Sequence, residues 1–84
     1  MYTMLIVNRT DVIKAIKAEN DTDVKVISQI EGLKAMLTMY ALNNVGETQC
    51  ALIIDEIGKV VRTYDGKTQK VKDCNATVVL TTDI

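Results

Sequence analysis

Residues 49–66 read QCALIIDEIGKVVRTYDG, and this stretch contains the strongest β-structure signals of the chain. Residues 49–54 form an almost unbroken apolar run, which is typical of a strand that is buried on both faces. Residues 56–58 indicate a turn by composition, and residues 59–64 predict a second strand. The pair Asp65-Gly66 predicts a type I′ hairpin turn, because both central positions of that turn need positive φ.

The segments on either side of this stretch extend the β pattern. Residues 67–72 are polar and alternate, which predicts an edge strand whose lysines deter pairing with another sheet. Residues 73–75 indicate a turn, and residues 76–81 predict a last strand. Near the start of the chain, the apolar residues 3–7 predict a short strand with a buried centre. The chain is therefore expected to form a largely antiparallel sheet.

A first helix is predicted between the first two strands. It begins at Asp11 after a Thr10 cap, and the apolar residues up to Ala18 share one face. A turn at residues 20–22 follows by composition. The alternation of residues 23–27 then indicates either a half-buried strand or an extended link.

The second helix is predicted from a capping box. Ser28 and Glu31 have the spacing in which each side chain bonds the other residue's backbone N–H, so we expect a helix over about residues 29–43. The predicted element order is β-α-β-α-β-β-β-β. This order predicts an α+β fold with an antiparallel-rich sheet and the second helix packed on one face.

Composition restricts the class of protein. The chain has 84 residues, of which 48% are apolar and 25% charged, and this predicts a single compact domain over residues 1–84. It contains no His, so the commonest general base and the commonest metal ligand are both missing. No glycine-rich nucleotide-binding motif is present. We therefore expect no enzymatic activity, no cofactor and no metal site.

Charge and cysteine content bear on compartment. The net charge of −1 argues against a chain that coats nucleic acid along its whole surface. No secretory signal is visible, and no run approaches the roughly 20 apolar residues of a membrane span. The two cysteines, Cys50 and Cys74, have no metal-like spacing, so we expect both to be reduced. These observations predict a cytoplasmic protein without a membrane association.

The second predicted helix is unusually rich in apolar residues. By spacing, one stripe holds Ile30, Leu33, Leu37 and Tyr40, and another holds Met36, Met39 and Leu42. Two interpretations stay open: a helix buried on nearly all sides, or a helix with one stripe on the sheet and the other on another chain. In the second case we expect a homodimer, or a complex with a constant partner. The candidate interface residues are Met36, Met39, Tyr40 and Leu42.

The C-terminal part of the predicted sheet is basic. Between Lys59 and Lys72 there are five cations and one acid, Asp65. Because alternate residues of a strand share a face, this hairpin can present a cationic surface to phosphates, on which an aromatic ring stacks against a base. The candidate contacts for RNA, DNA or an acidic protein are Arg62, Tyr64, Lys70 and Lys72. The alternative is a solvated face whose lysines serve solubility.

The whole layout resembles that of small accessory proteins of bacteriophages and mobile elements. The residues that carry the likeness are the strand at residues 3–7, the helix predicted after Ser28, and the segment at residues 51–61. The resemblance implies a protein that blocks a host macromolecule, such as a CRISPR effector or a toxin, in the host cytoplasm. The partner is then a larger host protein or ribonucleoprotein. A small nucleic-acid-binding or ribonucleoprotein-associated factor is the alternative function.

Overall fold

The computed structural model describes residues 1–11 and 26–76. Five strands form one antiparallel sheet, in the spatial order β2-β1-β3-β4-β5. The elements are β1 (Tyr2–Asn8), β2 (Val26–Gly32), helix α1 (Lys34–Asn44), β3 (Gln49–Ile54), β4 (Val60–Asp65) and β5 (Lys70–Ala76). The α+β class, the order of elements and the antiparallel sheet are confirmed.

The two central strands are buried on both faces of the sheet. On the side of α1, Met4 and Ile6 of β1 pack in one cluster with Ile53 of β3. On the opposite side, Leu5 and Val7 pack with strand neighbours in a second cluster. Successive residues of a strand point to opposite faces, so a strand that is covered on both sides has an uninterrupted apolar sequence. This explains the apolar runs MLIV and CALI.

Helix α1 packs on the sheet through few residues. Only Leu37 and Ala41 are buried within it, and Val45 after its last turn completes the contact. These side chains meet Ile53 and Tyr64 of the sheet in the first cluster. The helix therefore lies on one face of the sheet, as predicted. The interpretation in which the helix is buried on nearly all sides is wrong, because its other apolar side chains face solvent.

The capping-box prediction is wrong. Ser28 and Glu31 belong to β2, where they pair with Ile6 and Thr3 of β1. The helix begins at Lys34, and the residue before it, Leu33, makes no side-chain capping hydrogen bond. A capping box is a local signal, whereas pairing with β1 gives this segment a full ladder of backbone hydrogen bonds.

The hairpin between β4 and β5 also differs from the prediction. The loop covers residues 66–69 and is closed by the Gln69 N–H, which donates to the Asp65 carbonyl at 2.7 Å. Gln69 has positive φ and Gly66 does not, so the turn is not type I′. The predicted turn at residues 73–75 is wrong as well, because those residues lie within β5.

The turn predicted at residues 56–58 is present between β3 and β4. Gly58 has φ of +86°, which L side chains adopt only with strain. An Asp55 carboxylate oxygen accepts the backbone N–H groups of Ile57 at 3.1 Å and Lys59 at 2.8 Å. Most of the first predicted helix, the turn at residues 20–22 and nearly all of the predicted strand at residues 76–81 lie outside the described residues.

Candidate protein-binding surface

The side of α1 that points away from the sheet exposes several large apolar side chains. We call it the outer helix face, and its residues are Leu33, Ala35, Met36, Met39, Tyr40 and Leu42. The five large side chains among them are between 41% and 63% exposed. Isolated exposed apolar residues are ordinary, but a contiguous patch on a small protein marks an interaction site.

The outer helix face carries no charge. Lys34 is the only charged residue of α1, and residues 35–44 of the helix contain no charge. A surface helix normally places charged side chains opposite its buried stripe. Depletion of charge with enrichment of Met and Tyr is instead the composition of the core of a protein–protein interface.

A polar contact joins α1 to β4 and to the edge strand β5. The guanidinium of Arg62 donates to the Thr38 hydroxyl at 3.2 Å and to an Asp73 carboxylate oxygen at 2.6 Å. The hydrogen bond from Arg62 lowers the pKa of Asp73; burial opposes this effect, and the charges of Arg62 and Lys34 lower the pKa further. The contact links α1 to β4 and β5.

The four basic-hairpin candidates do not form one surface. Directly paired residues of neighbouring strands point to the same face. Lys70 pairs with Asp65, and Lys72 pairs with Thr63, so both lysines lie on the face opposite to α1. Arg62 and Tyr64 occupy the alternate positions of β4 and point towards the helix.

The predicted roles of Tyr64 and Arg62 are corrected accordingly. Tyr64 is only 5% exposed and belongs to the core under the helix, so its ring is not available to stack on a base. Arg62 is partly buried and paired with Asp73, which neutralises its charge locally. Lys70 and Lys72 are exposed, and of the four candidates only these two are free to meet an anionic partner.

The opposite face of the sheet contains an ion pair and a buried thiol. The Arg9 Nε atom lies 3.0 and 3.2 Å from the two carboxylate oxygens of Asp65. Burial acts to raise the pKa of Asp65, but hydrogen bonds from Arg9 and from the backbone of Lys67 and Thr68 outweigh it and lower that pKa. Burial, with a smaller effect of Asp65, raises the pKa of the neighbouring Cys50 thiol. A thiol of this kind is a poor nucleophile.

The two residues of the outer helix face that the sequence analysis did not select are Leu33 and Ala35. Helical spacing groups Leu33 with Ile30, Leu37 and Tyr40 in one stripe of a helix predicted over about residues 29–43. With the true start at Lys34, Leu33 is the residue before the helix and is exposed. The absence of any charge between Ala35 and Leu42 is a signal that could have identified all of the face except Leu33, which Lys34 separates from it.

Within residues 1–11 and 26–76, no three acidic or cysteine side chains converge as metal ligands. The helical part of the described chain has no segment with the length and apolar character needed to cross a membrane. No protein-family model, curated protein or solved structure matches this chain.

Proposed function

We propose that this chain is a non-enzymatic protein-binding module and that its contact surface is the outer helix face. The observation that carries the proposal is the exposure of five large apolar side chains on a helix surface without charge. Covering such a surface is favourable, because each side chain removed from water contributes on the order of 1 kcal/mol. Methionine side chains also adapt well to the shape of a partner.

The surface suits a protein better than a nucleic acid. Phosphate backbones are bound by Lys and Arg, and the outer helix face has neither. The lysines Lys67, Lys70 and Lys72 are exposed elsewhere on the hairpin. A nucleic-acid-binding factor that uses Lys70 and Lys72 is the second candidate function, and the experiment below includes a nuclease treatment to separate the two.

The narrower function follows from the resemblance to bacteriophage and mobile-element accessory proteins. In that case the chain occupies a site on a larger host protein or ribonucleoprotein, such as a CRISPR effector or a toxin, and blocks it. The host cytoplasm is the proposed place of action, which is supported by the two unpaired thiols of Cys50 and Cys74.

The test is an affinity capture from lysate with matched variants. The wild-type chain, the Met39→Glu variant and the Ile57→Glu variant carry the same tag, and one portion of each lysate is treated with nuclease. Both variants replace an exposed apolar side chain by a carboxylate, but Ile57 belongs to the turn between β3 and β4 and not to the outer helix face. Met39→Glu is expected to lose the partner, since an unpaired charge in a desolvated contact is costly.

A protein that is retained by wild type and Ile57→Glu, lost by Met39→Glu and unaffected by nuclease supports the proposed function. A partner retained equally by all three chains contradicts it. Loss of the captured material on nuclease treatment, with sensitivity to Lys70→Ser and Lys72→Ser instead, favours the nucleic-acid-binding alternative.

A further inference from the structure

The polar side chains of α1 donate hydrogen bonds to the helix's own carbonyl oxygens. The Thr38 hydroxyl donates to Lys34 at 2.8 Å, and the side-chain amides of Asn43 and Asn44 donate to Met39 at 2.9 Å and Tyr40 at 3.0 Å. Burying a donor that lacks a partner is costly, whereas burying one that is already paired costs far less. One N–H of each of these amides and the Thr38 hydroxyl hydrogen are therefore already paired within the helix and add less to the cost of covering it.

The electrostatic character of this surface suits contact with itself. In a two-fold symmetric interface, residues near the axis meet the same residues of the other copy, so any charge there meets its own kind. The outer helix face has no charged side chain, and Lys34 lies close enough to Asp73 to influence its pKa. Two copies can thus approach without like-charge repulsion.

The ends of the helix indicate the relative direction of the two copies. Helix α1 has no acidic residue in its first turn and no basic residue in its last turn. Within the helix, no side chain of opposite charge therefore compensates its partial positive N-terminus or its partial negative C-terminus. An antiparallel pair places each N-terminus beside the C-terminus of the other copy, which compensates both ends.

The size of the surface matches a small dimer interface. An exposed apolar patch of this kind covers on the order of 500 Å². Two such patches together bury on the order of 1,000 Å², which is the lower limit of a specific interface. A second copy supplies an apolar patch of equal size, so no apolar area is left uncovered on either side.

We infer that the outer helix face binds a second copy of this chain, in an antiparallel two-fold pair of α1 helices with the axis near Met39. This inference rests on the proposed function, because it names the partner of the same surface. It places the two sheets on the outside and the two helices between them. At the low end of interface size, the dimer is expected to form at micromolar concentrations.

Sedimentation equilibrium tests the inference from about 1 μM to about 500 μM of purified chain. Wild type and Ile57→Glu are expected to dimerise, and Met39→Glu is expected to weaken the dimer by more than about tenfold. Far-UV circular dichroism verifies that each variant is folded. A wild-type monomer at the highest concentration overturns the inference, as does a dimer that Met39→Glu leaves intact.

Cysteine cross-linking tests the direction of the pair in a Cys74→Ser background. An antiparallel pair centred on Met39 brings position 36 of one copy beside position 42 of the other. Mixed Met36→Cys and Leu42→Cys chains should therefore cross-link to each other faster than either does to itself. Like positions then lie about 9 Å apart along the axis. Faster self-cross-linking of each chain overturns the antiparallel arrangement.

The two proposals fail in different ways. If wild type stays monomeric while Met39→Glu still loses a captured protein, the second-copy inference fails and the proposed function stands. If neither self-association nor capture responds to Met39→Glu, both fail.

Discussion

At Gly66, the hairpin loop approaches the turn before β3 so closely that no side-chain atom fits between them. The Gly66 N–H donates to the Gln49 carbonyl at 3.0 Å, which holds the two loops together. A Cβ at this position would overlap the Gly46 carbonyl oxygen and would lie 2.7 Å from the Gln49 carbonyl oxygen. Both neighbours are backbone atoms, so neither can rotate away. The glycine is required by this close approach and not by its φ.

Gly66→Ala is therefore expected to lower the free energy of unfolding by about 2–3 kcal/mol, the scale of overpacking in a tight site. Gly46→Ala is the matched control, because its Cβ meets only the Gln49 Oε1 atom at 3.9 Å. That control should stay within about 0.5 kcal/mol of wild type. Urea denaturation measures both variants. An equal effect of the two substitutions would show that the close approach is not what restricts Gly66.

At the scale of the element, the two faces of α1 differ sharply in their exposure to solvent. Leu37 is 2% exposed and packs in the core, whereas Met39, two residues later, is 58% exposed. Leu37→Ala should lower the free energy of unfolding by about 2–5 kcal/mol through lost burial and a cavity. Met39→Ala should change it by less than about 0.5 kcal/mol. Measurements at low micromolar concentration keep self-association out of the comparison, and similar losses for both would place Met39 in the core.

Strand β2 shows why a local signal failed. Ser28 and Glu31 have the spacing of a capping box, but the exposure of residues 28–31 alternates in the manner of a half-buried strand. Ile30 pairs with Met4 and packs against the core, and a helix over the same residues would lose that pairing. The pairing depends on β1, which is distant in sequence, so a window of four residues could not reveal it.

The two candidate sites differ in how well the sequence predicted them. The composition of α1 alone identified Met36, Met39, Tyr40 and Leu42, and all four are exposed. In the basic hairpin, Lys70 pairs with Asp65 and Lys72 with Thr63, so both lysines lie on the face opposite to Tyr64. A two-residue turn at Asp65-Gly66 would pair Tyr64 with Lys67 and would separate the same residues. The predicted turn therefore already excluded a shared face, and only a register shifted by one residue would bring the four side chains together.

At the scale of the whole molecule, the carboxylates of Asp65 and Asp73 make the free energy of unfolding depend on pH. Hydrogen bonds from Arg9 and Arg62 contribute to the lowered pKa values of Asp65 and Asp73 in the folded chain. An unfolded Asp has a pKa of about 3.9. A carboxyl group whose pKa is lower in the folded chain than in the unfolded chain stabilises the fold at a pH above its unfolded pKa. This stabilisation is lost as the pH falls through the pKa of the folded chain. The folded chain should therefore lose stability progressively below about pH 5.

Asp65→Asn tests this coupling. The variant should be less stable than wild type at pH 7, and the difference should shrink towards pH 2.5 as the wild-type carboxyl is protonated. Urea midpoints at several pH values measure it. Lys70→Gln is the control, because it removes one charge without removing a group that titrates in acid. A difference in urea midpoint between Asp65→Asn and wild type that stays constant from pH 7 to pH 2.5 would contradict the proposed link between Asp65 ionisation and stability.

The strand order has a consequence for how the chain is made. Strand β1 lies between β2 and β3, so its two neighbours both follow it in the sequence. During synthesis the apolar run of β1 leaves the ribosome before β2 and β3, so both of its edges are unpaired until those strands emerge. One edge is closed by β2, but the other stays open until residues 49–54 have emerged. Unpaired apolar strands attract other chains, so translation through β3 sets the interval in which this protein is open to aggregation.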